Sequence, residues 1–82
     1  MITTAPTIAH VRFQDYRLAP VSGRRWRVVD ASGRAIGHIS LREDDSGPRF
    51  VAERFRIASG GFVDLGSFWH IEDAVTVLHD SR

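Results

Sequence analysis

The middle of the chain alternates apolar with polar residues, which is the pattern of half-buried β-strands. Residues 25–29 interleave Trp26 and two valines with arginines, and alternation with a period of two returns in residues 34–41 and 49–57. A shorter apolar stretch over residues 62–65 adds a fourth candidate strand. The pattern predicts an antiparallel β-meander of three to four strands joined by short loops.

The connections between these strands carry turn residues. Asp30-Ala31-Ser32-Gly33 suits a type I turn, in which Asp30 accepts local backbone hydrogen bonds and Gly33 takes the left-handed conformation of a bulged hairpin. The charged cluster over residues 43–48 is too polar for the core, and the stretch 58–61 contains two adjacent glycines. Both stretches are predicted to be loops.

The N-terminal part of the chain has a weaker pattern. Residues 8–18 fit neither a period of two nor one of 3.6, and they predict only a short extra strand over residues 11–16. The proline, serine and glycine within residues 20–23 predict a break before the first clear strand. The polar residues 1–7 predict a flexible lead.

After Gly66 the apolar spacing changes from that of a strand to that of a helix. An apolar stripe recurs at intervals of three, one and three residues, and its members are Ile71, Ala74, Val75 and Leu78. Glu72 and Asp73 in the first turn and His79 near the end suit the helix dipole. A helix with a single apolar stripe must lay it on the sheet, so one sheet face is covered and the other is free.

These elements predict one α+β domain over residues 1–82, with the meander in residues 8–65 and the C-terminal helix in residues 70–80. The length leaves no room for a second domain, and a composition that is 43% hydrophobic and 26% charged is that of a folded chain. The chain has no cysteine, which excludes disulfides and thiolate metal sites. An aromatic core or a partner subunit must therefore supply the stability that such a small domain needs.

Two aromatic residues invite different interpretations. Trp26 lies in the clearest strand beside a valine, which predicts a core residue. Phe68 and Trp69 are adjacent just before the helix, so their rings cannot readily point the same way. One of the two is therefore expected to be an exposed contact residue.

The sequence gives little support for catalysis, a cofactor or a metal. His70 and His79 are nine residues apart, which puts them on nearly opposite sides of the helix and argues against a shared metal ion. Gly60 and Gly61 lead into a strand and do not open a helix, so they form no phosphate loop. We expect a non-enzymatic protein that uses no cofactor. No apolar run approaches the length of a membrane span and residues 1–6 lack a secretory signal, so we also expect a cytoplasmic protein.

The basic residues are distributed unevenly. The net charge is only +1, but residues 1–63 hold ten arginines against six acids, and residues 64–82 hold one arginine against four acids. If the arginines of successive strands share one side, the free sheet face is suited to phosphates and base edges of DNA. The alternative is an ordinary solvated outer face. The phase of the third strand is open, because Arg54 and Arg56 alternate in step with Phe50 and Ala52.

The segment Leu65-Gly66-Ser67-Phe68-Trp69-His70-Ile71-Glu72-Asp73-Ala74 leads from the last strand into the helix. It resembles the Leu-Gly-x-Phe-x-x-x-x-x-Ala segment of sheet-plus-helix DNA-binding domains of the plant ethylene-response-factor type and of the arm-binding domains of tyrosine recombinases. The chain also resembles short uncharacterised actinobacterial proteins in its order of Trp-x-Val, Ile-Gly-x-Ile and Leu-Gly-x-Phe-Trp. The first resemblance covers about residues 25–79 and implies a DNA-facing set on the sheet, namely Arg25, Arg27, Arg34, His38, Arg54 and Arg56.

Two hypotheses for function follow. The first is a small DNA-binding or DNA-associated module that uses the arginines of the free sheet face. The second is a protein-interaction module or homodimer that buries this face or an edge of the sheet, since an open sheet always has unpaired edges.

Overall fold

The computed structural model describes residues 11–13 and 15–81. Six strands form one antiparallel sheet in chain order, and a single helix follows them. The elements are β1 (Val11–Phe13), β2 (Tyr16–Ser22), β3 (Arg25–Val29), β4 (Ala35–Asp44), β5 (Gly47–Arg56), β6 (Gly61–Phe68) and α1 (Ile71–Asp80). The α+β class, the antiparallel meander and the C-terminal helix are thus confirmed. The predicted lead over residues 1–7 lies outside the described residues.

The sheet has more and longer strands than the three to four that the sequence predicts. The predicted strand over residues 11–16 is instead the start of a hairpin, in which Phe13 pairs with Tyr16. The predicted break at residues 20–23 lies partly inside β2, where the register shifts between Pro20 and Ser22. A register shift of this kind accommodates proline, which cannot donate a ladder hydrogen bond. Tyr16 and Leu18 are buried on the helix side, and this burial ties β2 to the core.

The charged cluster over residues 43–48 is also mostly strand. Asp44 pairs with Gly47, so the loop between β4 and β5 is only two residues long. The charged side chains of this hairpin end are exposed, so they extend the two strands without entering the core. The prediction that these residues stay out of the core therefore holds, but the turn itself comprises only residues 45 and 46 and the rest of the cluster belongs to the strands.

The turn between β3 and β4 confirms the prediction in detail. Asp30 Oδ1 accepts hydrogen bonds from the backbone N–H groups of Ser32 at 2.9 Å and Arg34 at 3.0 Å. The Ser32 hydroxyl donates to the same oxygen, and together with these bonds it lowers the pKa of Asp30. Gly33 has φ 90°, which only glycine adopts easily. This turn fixes the pairing of the two strands that carry three of the six predicted site residues.

The helix packs on one face of the sheet through the predicted stripe. Its buried residues are Ile71, Ala74, Val75 and Leu78. They join a core that includes Trp26, Val28, Ile39, Phe50 and Ala52 from the strands. The helix approaches closely because β4 has Gly37 at the contact, where a Cβ would lie 2.7 Å from Leu78 Cδ2. No helix in the part of the chain that the structure describes is long and apolar enough to span a membrane.

The C-terminal end of α1 is fastened to the sheet by polar contacts. Tyr16 Oη and His79 Nδ1 are 2.6 Å apart. The Arg54 guanidinium donates hydrogen bonds to the backbone carbonyl of Ser81 and to its hydroxyl, the latter at 2.9 Å. A cation at this position suits the negative end of the helix dipole and the unpaired last carbonyls.

Candidate functional site

The sheet face opposite α1, here called the outer face, is defined by the strand register. Arg25 lies opposite Ser40, Arg27 opposite His38, and His38 opposite Glu53, and directly opposed residues share a face. Continued along the strands, this pairing assigns the following residues to the outer face: Arg17, Arg25, Arg27, His38, Ser40, Arg42, Asp44, Arg49, Val51, Glu53, Phe55, Phe62 and Asp64.

Three of the six residues implied by the resemblance lie together on the outer face. Arg25, Arg27 and His38 are neighbours on β3 and β4. Arg34 follows Gly33 in the hairpin turn, and it lines the groove at that end of the sheet.

Arg54 and Arg56 are on the helix side of the sheet, which corrects the prediction that they face DNA with the others. Along β5 they alternate in step with the core residues Phe50 and Ala52. The register shift at this point is taken up on β6, because Ala52 pairs with Gly66 while Glu53 pairs with Asp64. The extra residue therefore belongs to β6, and β5 keeps its phase.

The outer face has a buried acidic centre. The Glu53 residue is only 5% exposed, and Arg25 at 3.3 Å and Arg42 at 3.0 Å pair with its carboxylate. The Ser40 hydroxyl donates a third contact at 2.8 Å. A carboxylate this deeply buried requires such partners, since an unpaired buried charge is strongly destabilising. Arg25 and Arg42 are therefore occupied with a structural task.

Arg17 and Arg27 are two outer-face cations that remain available. Both are exposed, and neither forms an ion pair within residues 15–81. They lie near each other on β2 and β3, because Arg17 pairs with Val29 and Ala19 pairs with Arg27. An approaching anion can bind these two guanidinium groups without breaking an existing ion pair.

An aromatic patch, formed by His38, Phe55 and Phe62, lies on the same face, and its His38 is directly opposite Arg27. The rings of Phe55 and Phe62 are 5.5 Å apart and those of His38 and Phe62 are 4.8 Å apart, both edge to face. Phe55 is 50% exposed and Phe62 is 44% exposed. The Arg25 guanidinium lies 5.0 Å from the Phe62 ring centre, which holds that ring in place.

His38 belongs to this patch as an aromatic ring and not as a cation. Burial lowers its pKa first, and the nearby charges of Arg25 and Arg27 lower it further, against a smaller opposing effect of Glu53. Since an ordinary histidine already titrates below pH 7, His38 is neutral at that pH.

An open groove lies at the end of the sheet next to the aromatic patch. It runs between the β3–β4 turn and the β5–β6 hairpin, and its lining includes Arg34, Ile36 and Ile57 as well as the patch residues. Ile57 is 88% exposed at the hairpin tip. The groove therefore combines apolar and aromatic side chains with the charged residues Asp30, Arg34 and Arg54.

At the opposite end of the outer face, Trp69 forms a second exposed aromatic site. The Arg49 guanidinium lies 3.7 Å from the Trp69 ring centre, and Trp69 is 53% exposed. Phe68 packs against the core instead. The prediction that one of these two adjacent rings is exposed is confirmed.

The aromatic patch is the feature that sequence reasoning missed. The signal was present, since Phe55 alternates out of step with the core residue Phe50 and Phe62 follows just after the turn. Only the register shows that the two rings meet. No group of three or more metal-binding side chains occurs among the described residues.

Comparisons with protein-family models, curated proteins and solved structures found no match to this chain. The resemblance to sheet-plus-helix DNA-binding domains therefore stays a prediction.

Proposed function

We propose that this domain binds single-stranded DNA, or single-stranded nucleic acid of similar chemistry, on its outer face. The observation that carries the proposal is the pair of half-exposed rings, Phe55 and Phe62, on the same sheet face as the exposed arginines Arg17 and Arg27, with His38 between Phe62 and Arg27. Aromatic rings on a sheet stack with unpaired bases, and neighbouring cations attract the phosphates. Catalysis and a cofactor form no part of the proposal.

A single strand suits this face better than a duplex. A sheet of six strands at a spacing of about 4.8 Å is about 24 Å wide, whereas the major groove of B-DNA is about 12 Å wide and admits a helix or a two-stranded ribbon. Arg54 and Arg56, which a groove-binding sheet would use, point to the other side. Exposed phenylalanines also find no partner in a duplex, whose bases are already stacked.

The charge distribution between the two faces supports the same orientation. The outer face has five arginines (Arg17, Arg25, Arg27, Arg42, Arg49) and three acids (Asp44, Glu53, Asp64). The helix carries Glu72, Asp73 and Asp80 on the opposite side of the domain. Arg54 and Arg56 partly offset these acids on the helix side, so a polyanion is attracted more strongly to the outer face than to the helix side.

Phe62→Ala and Arg27→Ala are expected to weaken binding in different ways. Loss of the Phe62 ring should reduce affinity by about 1–3 kcal/mol, the usual value of one stacked base. Loss of the Arg27 charge should reduce affinity at low salt and lower the salt slope by about 0.7, the value for one phosphate contact on a single strand. Fluorescence anisotropy of a labelled twelve-residue oligothymidylate, titrated at several salt concentrations, measures both effects.

Arg56→Ala is the matched control for Arg27→Ala. It removes the same charge from an exposed arginine that lies on the helix side and has no ion pair within the described residues. Its affinity should equal that of the parent protein. If the parent protein binds no single strand at high micromolar concentration and low salt, the proposal is wrong.

A protein partner, including a second copy of the chain, is the second candidate. It is favoured by the apolar hairpin tip, where Ile57 is 88% exposed beside Phe55 and Phe62. The outer edge of β6 also has no neighbouring strand among the described residues. If this surface forms a homodimer, light scattering should show a mass that rises from 9.2 kDa towards twice that value with concentration, and Ile57→Asp should abolish the rise. A constant 9.2 kDa would exclude the homodimer.

A further inference from the structure

Trp69 lies on the same face of the sheet as the aromatic patch. β6 ends at Phe68, which pairs with Phe50, so Trp69 directly follows the strand near Arg49, the residue before Phe50 on β5. The 3.7 Å contact between the Arg49 guanidinium and the Trp69 ring is consistent with this position. Arg49 itself lies opposite Arg42, whose guanidinium binds Glu53 at the centre of the outer face.

The Trp69 ring is held in place without being buried. The Arg49 guanidinium stacks on the ring, and its Nη2 donates a hydrogen bond to Ser46 Oγ at 3.1 Å. The backbone of Gly47 is also close, since a Cβ there would lie 3.7 Å from Trp69 Cζ3. Because the ring remains 53% exposed, it provides a fixed surface with room for a further stacked group.

A groove lies along β5 and β6 between the aromatic patch and the Trp69 end. Its lining includes Arg42, Arg49, Val51 and Ser67 together with the acids Glu43, Asp44 and Asp64. Asp64 is 3.8 Å from Arg42, so its charge is partly neutralised there. Phe62 and Trp69 are seven residues apart in the chain, but one of these is the extra residue of the β6 bulge, so the distance is about 20 Å at the usual rise of a strand.

We infer that a bound single strand runs along β5 and β6 from the aromatic patch to Trp69, where a second base stacks. The inference rests on the proposed function and adds the path and length of the bound strand. Arg49, which forms no ion pair within the described residues, flanks the path near Trp69 and offers a cation to a phosphate, while Arg42 stays paired with Glu53. At about 3.4 Å per stacked nucleotide, a strand of about six nucleotides reaches both ends.

Trp69 itself provides the measurement. The chain has two tryptophans, and Trp26 is 1% exposed in the core, so only Trp69 is accessible to a base. A ten-residue oligothymidylate should quench the tryptophan emission of the parent protein. It should also bind more tightly than a three-residue one, and by more than is expected from the larger number of positions at which a short site can bind the longer strand. Trp69→Ala should reduce affinity for the ten-residue strand about fivefold or more, and it should remove most of the additional affinity of the longer strand over the shorter one. Trp69→Phe, which keeps a stacking ring, should retain most of the affinity.

The outcomes separate the inference from the proposed function. If the parent protein binds the long strand but Trp69→Ala binds it equally well and the parent emission is unchanged, the path is wrong and the proposed function stands. If the parent protein binds neither strand in the anisotropy titration, both are wrong. Circular dichroism and the melting temperature of the Trp69 variants establish that they are folded, which is expected because the side chain is half exposed.

Discussion

Leu78→Ala is expected to lower the free energy of unfolding by about 2–5 kcal/mol, the usual cost of truncating a buried leucine. The Leu78 side chain is 1% exposed and packs against β4 at Gly37. A ten-residue helix is not stable alone in water, so α1 depends on this contact and on the other residues of its stripe. The loss is a large share of the stability of a domain of this size. Chemical denaturation followed by circular dichroism measures it.

Thr76→Ala is the control for this prediction. Thr76 lies on the exposed side of the same helix, and its hydroxyl donates a hydrogen bond to the Glu72 carbonyl at 3.0 Å. Such a bond is exposed, and alanine has the higher helix propensity, so the change in stability should stay within about 0.5 kcal/mol. A Leu78→Ala protein that melts within about a degree of the parent would contradict the burial of this side chain.

Gly37→Ala is expected to destabilise the domain by about 1–3 kcal/mol or more, as overpacking of a close contact does. The new Cβ would lie 2.5 Å from the carbonyl oxygen of Glu53 and 2.7 Å from Leu78 Cδ2. The leucine can rotate away, but the carbonyl is part of the neighbouring strand and moves only if β4 and β5 separate. The same shift would disturb His38 and Glu53 on the outer face, so binding should weaken as well. Thermal unfolding measures the first effect.

Gly23→Ala is the matched control, because no atom lies within 4 Å of the position its Cβ would take. Neither glycine has a positive φ, so the comparison isolates the steric effect from backbone strain. In the double variant Gly37→Ala with Leu78→Ala, the clash with the leucine is removed and that with the carbonyl remains. The double variant should therefore lose less than the sum of the two single losses. Equal stability of Gly37→Ala and Gly23→Ala would show that the helix does not approach β4 so closely.

The sequence by itself determined the elements whose signals are local. The helix bounds and its buried stripe follow from the spacing of four apolar residues within ten. The β3–β4 turn follows from Asp30 and Gly33, whose hydrogen bonds and φ lie within five residues. The burial of Trp26 was also predictable, and so was the exposure of one of the adjacent rings Phe68 and Trp69. Each depends only on alternation within a single strand or its continuation.

The tertiary structure decided which residues of different strands share a face. The sequence predicts both Arg25 and Arg54 on the free sheet face. In the structure Arg25 pairs with Glu53 on the outer face, whereas Arg54 binds Ser81 at the end of the helix. The meeting of Phe55 with Phe62 likewise depends on the register of β5 with β6 and on the bulge between their pairs. A shift by one residue reverses the face of every later side chain, and such shifts are set by long-range packing. Periodicity within one strand contains no information about its register with the neighbouring strand. The helix was therefore predictable from the sequence, and the set of residues on the outer face was not.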